Sequence, residues 1–143
     1  MIRQLSFLEV DKIKDSALKF IDQTGYQYGF DLKYFLSKMR AMIMAGSAVC
    51  FVEEKNGEII SGVGFAINDD IFAPHKIMAE MWWYGEGAGG LRCIKAAENF
   101  ATRANIKQIV MASTLYNEDR NAALYERLGY KRDSSTYRKE FNN

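Results

Sequence analysis

Gly85-Glu86-Gly87-Ala88-Gly89-Gly90 stands where the apolar strand pattern of residues 76–84 gives way to a helical one, and four of its six residues lack a side chain. Glycines let successive N–H groups turn toward one point, and the orphan donors and positive dipole end of a following helix favour an anion there. A backbone this bare is either an anion cradle or an ordinary flexible turn. What lies on either side of it distinguishes the two.

Upstream, Lys76 to Tyr84 reads as a strand ending in Trp82, Trp83 and Tyr84; downstream, a helix runs to about Ala104 with Leu91, Ile94, Ala97 and Ala101 as its buried stripe. Arg92, Lys95, Asn99 and Arg103 can face water on that helix. Lys107 to Ser113 is the next strand, Asn117 to Leu128 a helix stopped by Gly129, and Thr136 to Phe141 a last strand with alternating Tyr137, Lys139 and Phe141. Toward the N-terminus, Ala48 to Glu53 and Ile59 to Ile67 are strands joined through Asn56-Gly57, a dipeptide suited to the positive φ angles of a tight hairpin. Before them lies a helix capped by Asp31, with Leu32, Phe35, Leu36, Met39, Met42 and Ile43 on one stripe and Gly46 as its stop. Ile2 to Leu8 can be a first strand, after which Asp11 can cap a helix with Ile13, Ala17, Phe20 and Ile21 at helical spacing. The order is β-α-α-β-β-β-α-β-α-β. It predicts an α/β (α+β) fold, a mixed and mostly antiparallel central sheet with one β-α-β crossover, and the glycines lie in that crossover.

The chain has 143 residues, 48% of them hydrophobic, which fits a single domain over residues 1–143 with a full core. Lys and Arg number 19 against 18 acidic residues, so nothing pulls the chain generally toward nucleic acid or anionic lipid, and any cationic site must be local. The longest uncharged run, Ala41 to Val52, is too short to span a bilayer and contains Gly46. The opening residues have no apolar leader, and the expected location is the cytoplasm. Cys50 and Cys93 lack metal-like spacing and fall in apolar patterns, as buried free thiols do.

Gly85-x-Gly87-x-x-Gly90 also matches a dinucleotide fingerprint, but the next strand ends in Met111-Ala112-Ser113-Thr114 without the required acid, and few residues remain for further parallel strands. No Gly-Lys-Ser/Thr follows, which excludes a Walker loop. Later in the chain stands Asn121-Ala122-Ala123-Leu124-Tyr125-Glu126-Arg127-Leu128-Gly129-Tyr130. The pairing of a glycine-rich strand-to-helix loop with a helix reading Ala-x-x-Leu-Tyr-x-x-x-Gly-Tyr resembles the GNAT superfamily of acyl-CoA-dependent N-acetyltransferases. Leu91 to Glu98 looks like the helix that follows that loop, and Trp82-Trp83-Tyr84 leading into Gly90-Leu91-Arg92 is similar to members encoded by bacteriophages, which would place the protein in a host cytoplasm. The family's loop usually reads Gln/Arg-x-x-Gly-x-Gly/Ala, and this chain lacks the leading Arg or Gln. Matching Gly87 and Gly89 puts Tyr84 at that position; matching Ala88 and Gly90 puts Gly85 there.

The resemblance implies acetyl-CoA as co-substrate, an amine as acceptor, and direct attack of the amine on the thioester in a ternary complex. It implies a cofactor site over Trp82, Trp83, Tyr84, Gly85, Glu86, Gly87, Ala88, Gly89, Gly90 and Leu91, with Asn117 on the pantetheine arm and Tyr125 near the sulfur as general acid. For the base, Glu80 is the candidate, since a carboxylate among Met81 and Trp82 in a buried strand should have a raised pKa. Alternation would put Glu80, Trp82 and Tyr84 on one face unless a bulge intervenes. Asp69, Asp70 and His75 are substitutes. Tyr26, Tyr28, Phe30, Tyr34 and Phe35 are either an aromatic acceptor side or core. No metal, nucleic acid or membrane is expected as a partner, and the fold admits a homodimer. The rival reading is a catalytically silent CoA-binding or protein-interaction module on the same fold.

Overall fold

The computed structural model describes residues 1–26, 28–113 and 118–141. The chain divides into two compact units, Met1–Ala112 and Ser113–Asn143.

The first unit is a five-stranded sheet in the order β1 (Ile2–Gln4), β2 (Ala48–Lys55), β3 (Glu58–Asp69), β4 (Lys76–Tyr84), β5 (Gln108–Val110). All neighbours are antiparallel except β4 and β5, which are parallel and joined by helix α3 (Gly89–Arg103). Helices α1 (Lys14–Thr24) and α2 (Leu32–Met44) precede β2. β2 is buried from Ala48 to Glu53, as a strand covered on both faces must be. On one face Cys50, Val52, Ile59 and Trp82 meet Val10, Ile13, Leu36 and Met39. On the other, Val49, Phe51, Val63, Phe65 and Met78 meet Cys93, Ala97 and Ala101 of α3.

The hairpin turn has the predicted form, with Asn56 at φ 52 and Gly57 at φ 81. Asp31 caps α2 by accepting the N–H of Tyr34 at 2.9 Å, and all six residues of the expected stripe join the first cluster. Phe35 belongs to that core, its ring 5.7 Å from Phe30 and 6.5 Å from Trp82. Both cysteines are free and buried, and burial pushes each thiol up to about 12.

Four expectations for the first unit need correction. β1 ends at Gln4, because Ser6 and Glu9 form a capping box that opens a 3-10 helix, Phe7–Ile13. Asp11 lies inside that helix and accepts from Arg40 at 2.8 Å, while α1 starts at Lys14 without a side-chain cap. On α3 the buried stripe runs through Cys93 and Ile94, leaving Leu91 37% exposed. β5 is three residues long, since its ladder with β4 stops at Ala79–Val110.

The second unit holds α4 (Glu118–Arg127), after which Tyr130 donates its N–H to the Tyr125 carbonyl at 2.9 Å. Residues 136–141 form no strand. Their alternation is strand-like, yet alternation does not supply a ladder, and Tyr137 and Phe141 are 92% and 71% exposed. Among the described residues no helix is long and apolar enough to cross a membrane.

Candidate acyl-CoA site

The crossover between β4 and α3 is compressed around its glycines. A Cβ on Gly85 would overlap the backbone N and Cα of Gly90, and Gly87 turns with φ 56. The Gly89 N–H closes the turn onto the Glu86 carbonyl at 3.0 Å. A side chain on Gly89 would run into Ser61 and Glu53, so the first turn of α3 sits directly on β2 and β3. Among the described residues, the N–H groups of Gly87, Ala88, Gly90 and Leu91 meet no protein acceptor. That is a cradle of free donors at a helix start, an arrangement that favours an anion.

The loop is tied down from the sheet. Glu86 donates its N–H to Ser61 Oγ at 3.1 Å, and Ser61 Oγ lies 3.5 Å from Glu53 Oε1. Glu53, only 7% exposed, accepts from Arg92 Nε and Nη2 at 2.9 and 2.6 Å. From the opposite side of the sheet's end, Lys19 on α1 pairs with Glu86 at 3.2 Å and stands 5.6 Å from the centre of the Tyr84 ring. Thus Glu86 has both its N–H and its carboxylate occupied and shapes the turn without offering a donor.

β4 reaches five residues beyond its ladder with β5, from Glu80 to Tyr84. There β4 and β5 no longer pair. Glu80 stands where the pairing ends: its carboxylate accepts the N–H of Ala112 at 3.4 Å, and burial pushes its carboxyl up to about 7 against the pull of that hydrogen bond.

The alternation expected of β4 fails at one residue. Gly64 pairs with Trp82 and Phe65 with Glu80, so Met81 is the extra residue of a bulge. Trp82 consequently joins the α2 side of the sheet, with Cys50, whereas Glu80 shares the face of Phe65, Met78 and α3. Trp82 lies flat on Gly62 and Gly64, where no Cβ would fit, and is a core side chain. Trp83 packs on the other face, its indole Nε1 2.7 Å from where a Cβ on Gly90 would lie.

The first unit therefore brings together Glu80, Trp82, Trp83, Tyr84 and the loop Gly85 to Leu91. Tyr125 is in the second unit, buried on α4 with its ring 6.0 Å from that of Tyr130. Asn117 lies outside the described residues. The substitutes for the base are engaged elsewhere. Asp70 accepts the Phe72 N–H at 2.9 Å with His75 Nε2 3.0 Å from its other oxygen, and Asp69 holds Lys76 at 2.8 Å, at the start of β4, a nine-residue strand away from the glycines. Lys19 and Ser61 carry no site signal in the sequence, and Arg92 reads there only as a water-facing residue of the helix. Glu53, a carboxylate inside the apolar run from Ala48, is the one available signal.

The sequence profile of the acetyltransferase (GNAT) family matches residues 16–130. Similar solved structures include a predicted acetyltransferase from Clostridium acetobutylicum, determined with acetyl-CoA. It has a TM-score of 0.79 and 14% identity, with 98% of this chain and 95% of that one covered. A possible acetyltransferase from Clostridium difficile 630 also has a TM-score of 0.79, at 14% identity over 100% and 98% of the two chains. A ribosomal-protein-alanine N-acetyltransferase from Brucella melitensis biovar Abortus 2308 has a TM-score of 0.75, at 12% identity over 99% of each. At these identities the likeness is one of fold. No curated protein matches the chain in sequence.

Proposed function

The chain belongs to the acetyltransferase (GNAT) family, and from that premise we propose that it transfers the acetyl group of acetyl-CoA to a primary amine. The observation that carries this reading is the glycine cradle, with four N–H groups lacking a protein acceptor, directly following the part of β4 that runs beyond its ladder with β5. The family match across residues 16–130 supports treating both units as one N-acetyltransferase domain, and its proposed place of action is the cytoplasm. The alanine acceptor named for the Brucella protein is itself a primary amine.

In this reading the acceptor arrives as an ammonium ion with a lysine-like pKa of about 10 and must lose a proton before its nitrogen can attack. Glu80 takes that proton through a water; a carboxyl brought up to about 7 is matched to such transfer near neutral pH. The new N–C bond forms at the thioester carbonyl, and a main-chain N–H of Trp82 to Tyr84 stabilises the oxyanion, a contribution worth about 3–4 kcal/mol in comparable acyl transfers. The C–S bond then breaks, Tyr125 protonates the leaving thiolate, and the second proton shed by the attacking nitrogen passes through solvent to restore the Tyr125 phenol. Asn117 holds the pantetheine arm, and the donors of Gly87 to Leu91 hold the phosphates.

The test is release of free CoA thiol from acetyl-CoA across a panel of amines, including an alanine-terminated peptide, with identification of the N-acetyl product by mass. Amine-dependent release that falls at least about tenfold in Glu80→Gln and Tyr125→Phe supports the reading. Tight acetyl-CoA binding with no release for any amine would instead mark a silent binding module.

A further inference from the structure

The glycine loop lacks the Arg or Gln that leads the family's usual pattern, and the structure sets a different cation, Arg92, beside the loop. An open cavity of about 350 Å³ lies against the loop, lined by Gly87 and Ala88 together with Arg92, Lys55 and the carboxylates Glu53, Glu54 and Glu86. Each of those acids has a cationic partner: Arg92 for Glu53, Arg3 for Glu54 at 3.0 Å, Lys19 for Glu86. Lys55 has no ion-pair partner among the described residues. Arg92 and Lys55 thus share this cavity with the free N–H groups of Gly87 and Ala88 at the start of α3, and those donors favour an anion.

We propose that Arg92, set in place by Glu53, is the cationic contact for a phosphate of CoA; the inference rests on the acetyl-CoA reading above. Glu53 and Arg92 differ sharply in exposure, 10% against 54% for their side chains. The buried acid grips Nε and one hydrogen of Nη2 through a single oxygen, Oε2. Of the five guanidinium donors, three remain for an outside partner, in a plane set by the two bonds to Glu53. An arginine held this way loses little conformational freedom on meeting a phosphate. Glu53 is a positioning residue: it also anchors Ser61, which takes the Glu86 N–H and sets the turn.

Removing Arg92 alone would strand a buried carboxylate and endanger the fold. The informative protein is therefore Glu53→Gln/Arg92→Gln, which removes both charges and keeps a hydrogen-bonding pair. Calorimetric titration with CoA should show affinity lowered at least about tenfold, or about 1.4 kcal/mol, while denaturation midpoints stay near the wild type. The same loss with 3′-dephospho-CoA assigns the contact to the pyrophosphate, and its disappearance assigns it to the 3′-phosphate; both support the role. Arg92→Lys should recover part of the affinity, having charge without the fork. Two results overturn the inference while the acetyl-CoA reading stands: wild-type affinity in the double variant, or an equal loss for S-acetylpantetheine, which has no phosphate, measured as its KM. Absence of CoA binding by the wild-type protein overturns both.

Discussion

Exchanging Glu80 for glutamine keeps the side chain's shape and an oxygen able to accept the Ala112 N–H, and removes only the titration. The unfolded carboxyl releases its proton near 4.5, whereas in the fold burial holds it until about 7. Between those values the folded state binds more protons than the unfolded one, so this residue makes stability fall as pH rises. At about 1.4 kcal/mol per pK unit the full penalty above pH 7 is about 3 kcal/mol. Glu80→Gln should therefore exceed the wild type in stability by about 3 kcal/mol near pH 8.5, with the gain shrinking below pH 7 and vanishing near pH 4.5. Urea denaturation read by tryptophan fluorescence is suited to the measurement, because the chain's two tryptophans, Trp82 and Trp83, both lie in β4 beside the substitution. With a slope of about 1–3 kcal/mol per molar urea, the midpoint should move by roughly 1–3 M. Every other titrating group is shared by the two proteins and cancels in the difference. Parallel stability curves across this pH range would refute the argument, and with it the assignment of Glu80 as a base poised near neutrality. A gain in stability joined to a loss of turnover is the signature expected of a group held in an unfavourable state for function.

Gly85→Ala should open the loop, since its methyl group overlaps Gly90; a cost of about 1–3 kcal/mol and a weakened calorimetric affinity for acetyl-CoA are expected, and retention of both would contradict the tight cradle. Glu9 is held at about 2, chiefly by its hydrogen bond to Arg3, so its contribution is present above pH 4.5 and lost as pH falls through about 2; acid unfolding of Glu9→Gln should be less steep in that window. Gly57→Ala, at φ 81, should cost about 1 kcal/mol in denaturant midpoint, while Asn56→Gly should be nearly neutral.

Local patterns carried the reading wherever one residue's chemistry suffices. Asn56-Gly57 supplied two positive φ angles, Asp31 a cap, and the stripe from Leu32 to Ile43 a face to bury, so the hairpin and α2 follow from their own residues. The glycine run marked the crossover for the same reason, because only residues without a Cβ allow Gly85 and Gly90 to touch. The first turn after β1 was misread because Ser6 and Glu9 cap each other across three residues and outcompete Asp11.

The sequence by itself determined the element order from β1 to α4, the family, and the place of the glycine loop, since these rest on periodicity, turn residues and contiguous motifs. The tertiary structure alone decided which face of β4 each side chain takes, because the Met81 bulge arises from pairing with β3 and reverses the alternation after Glu80. It alone joined Glu53, Ser61 and Arg92 beneath the loop, residues far apart in the chain that meet only when β2, β3 and α3 pack. It also withheld a strand from residues 136–141, where the pattern exists but the hydrogen-bonding partner does not.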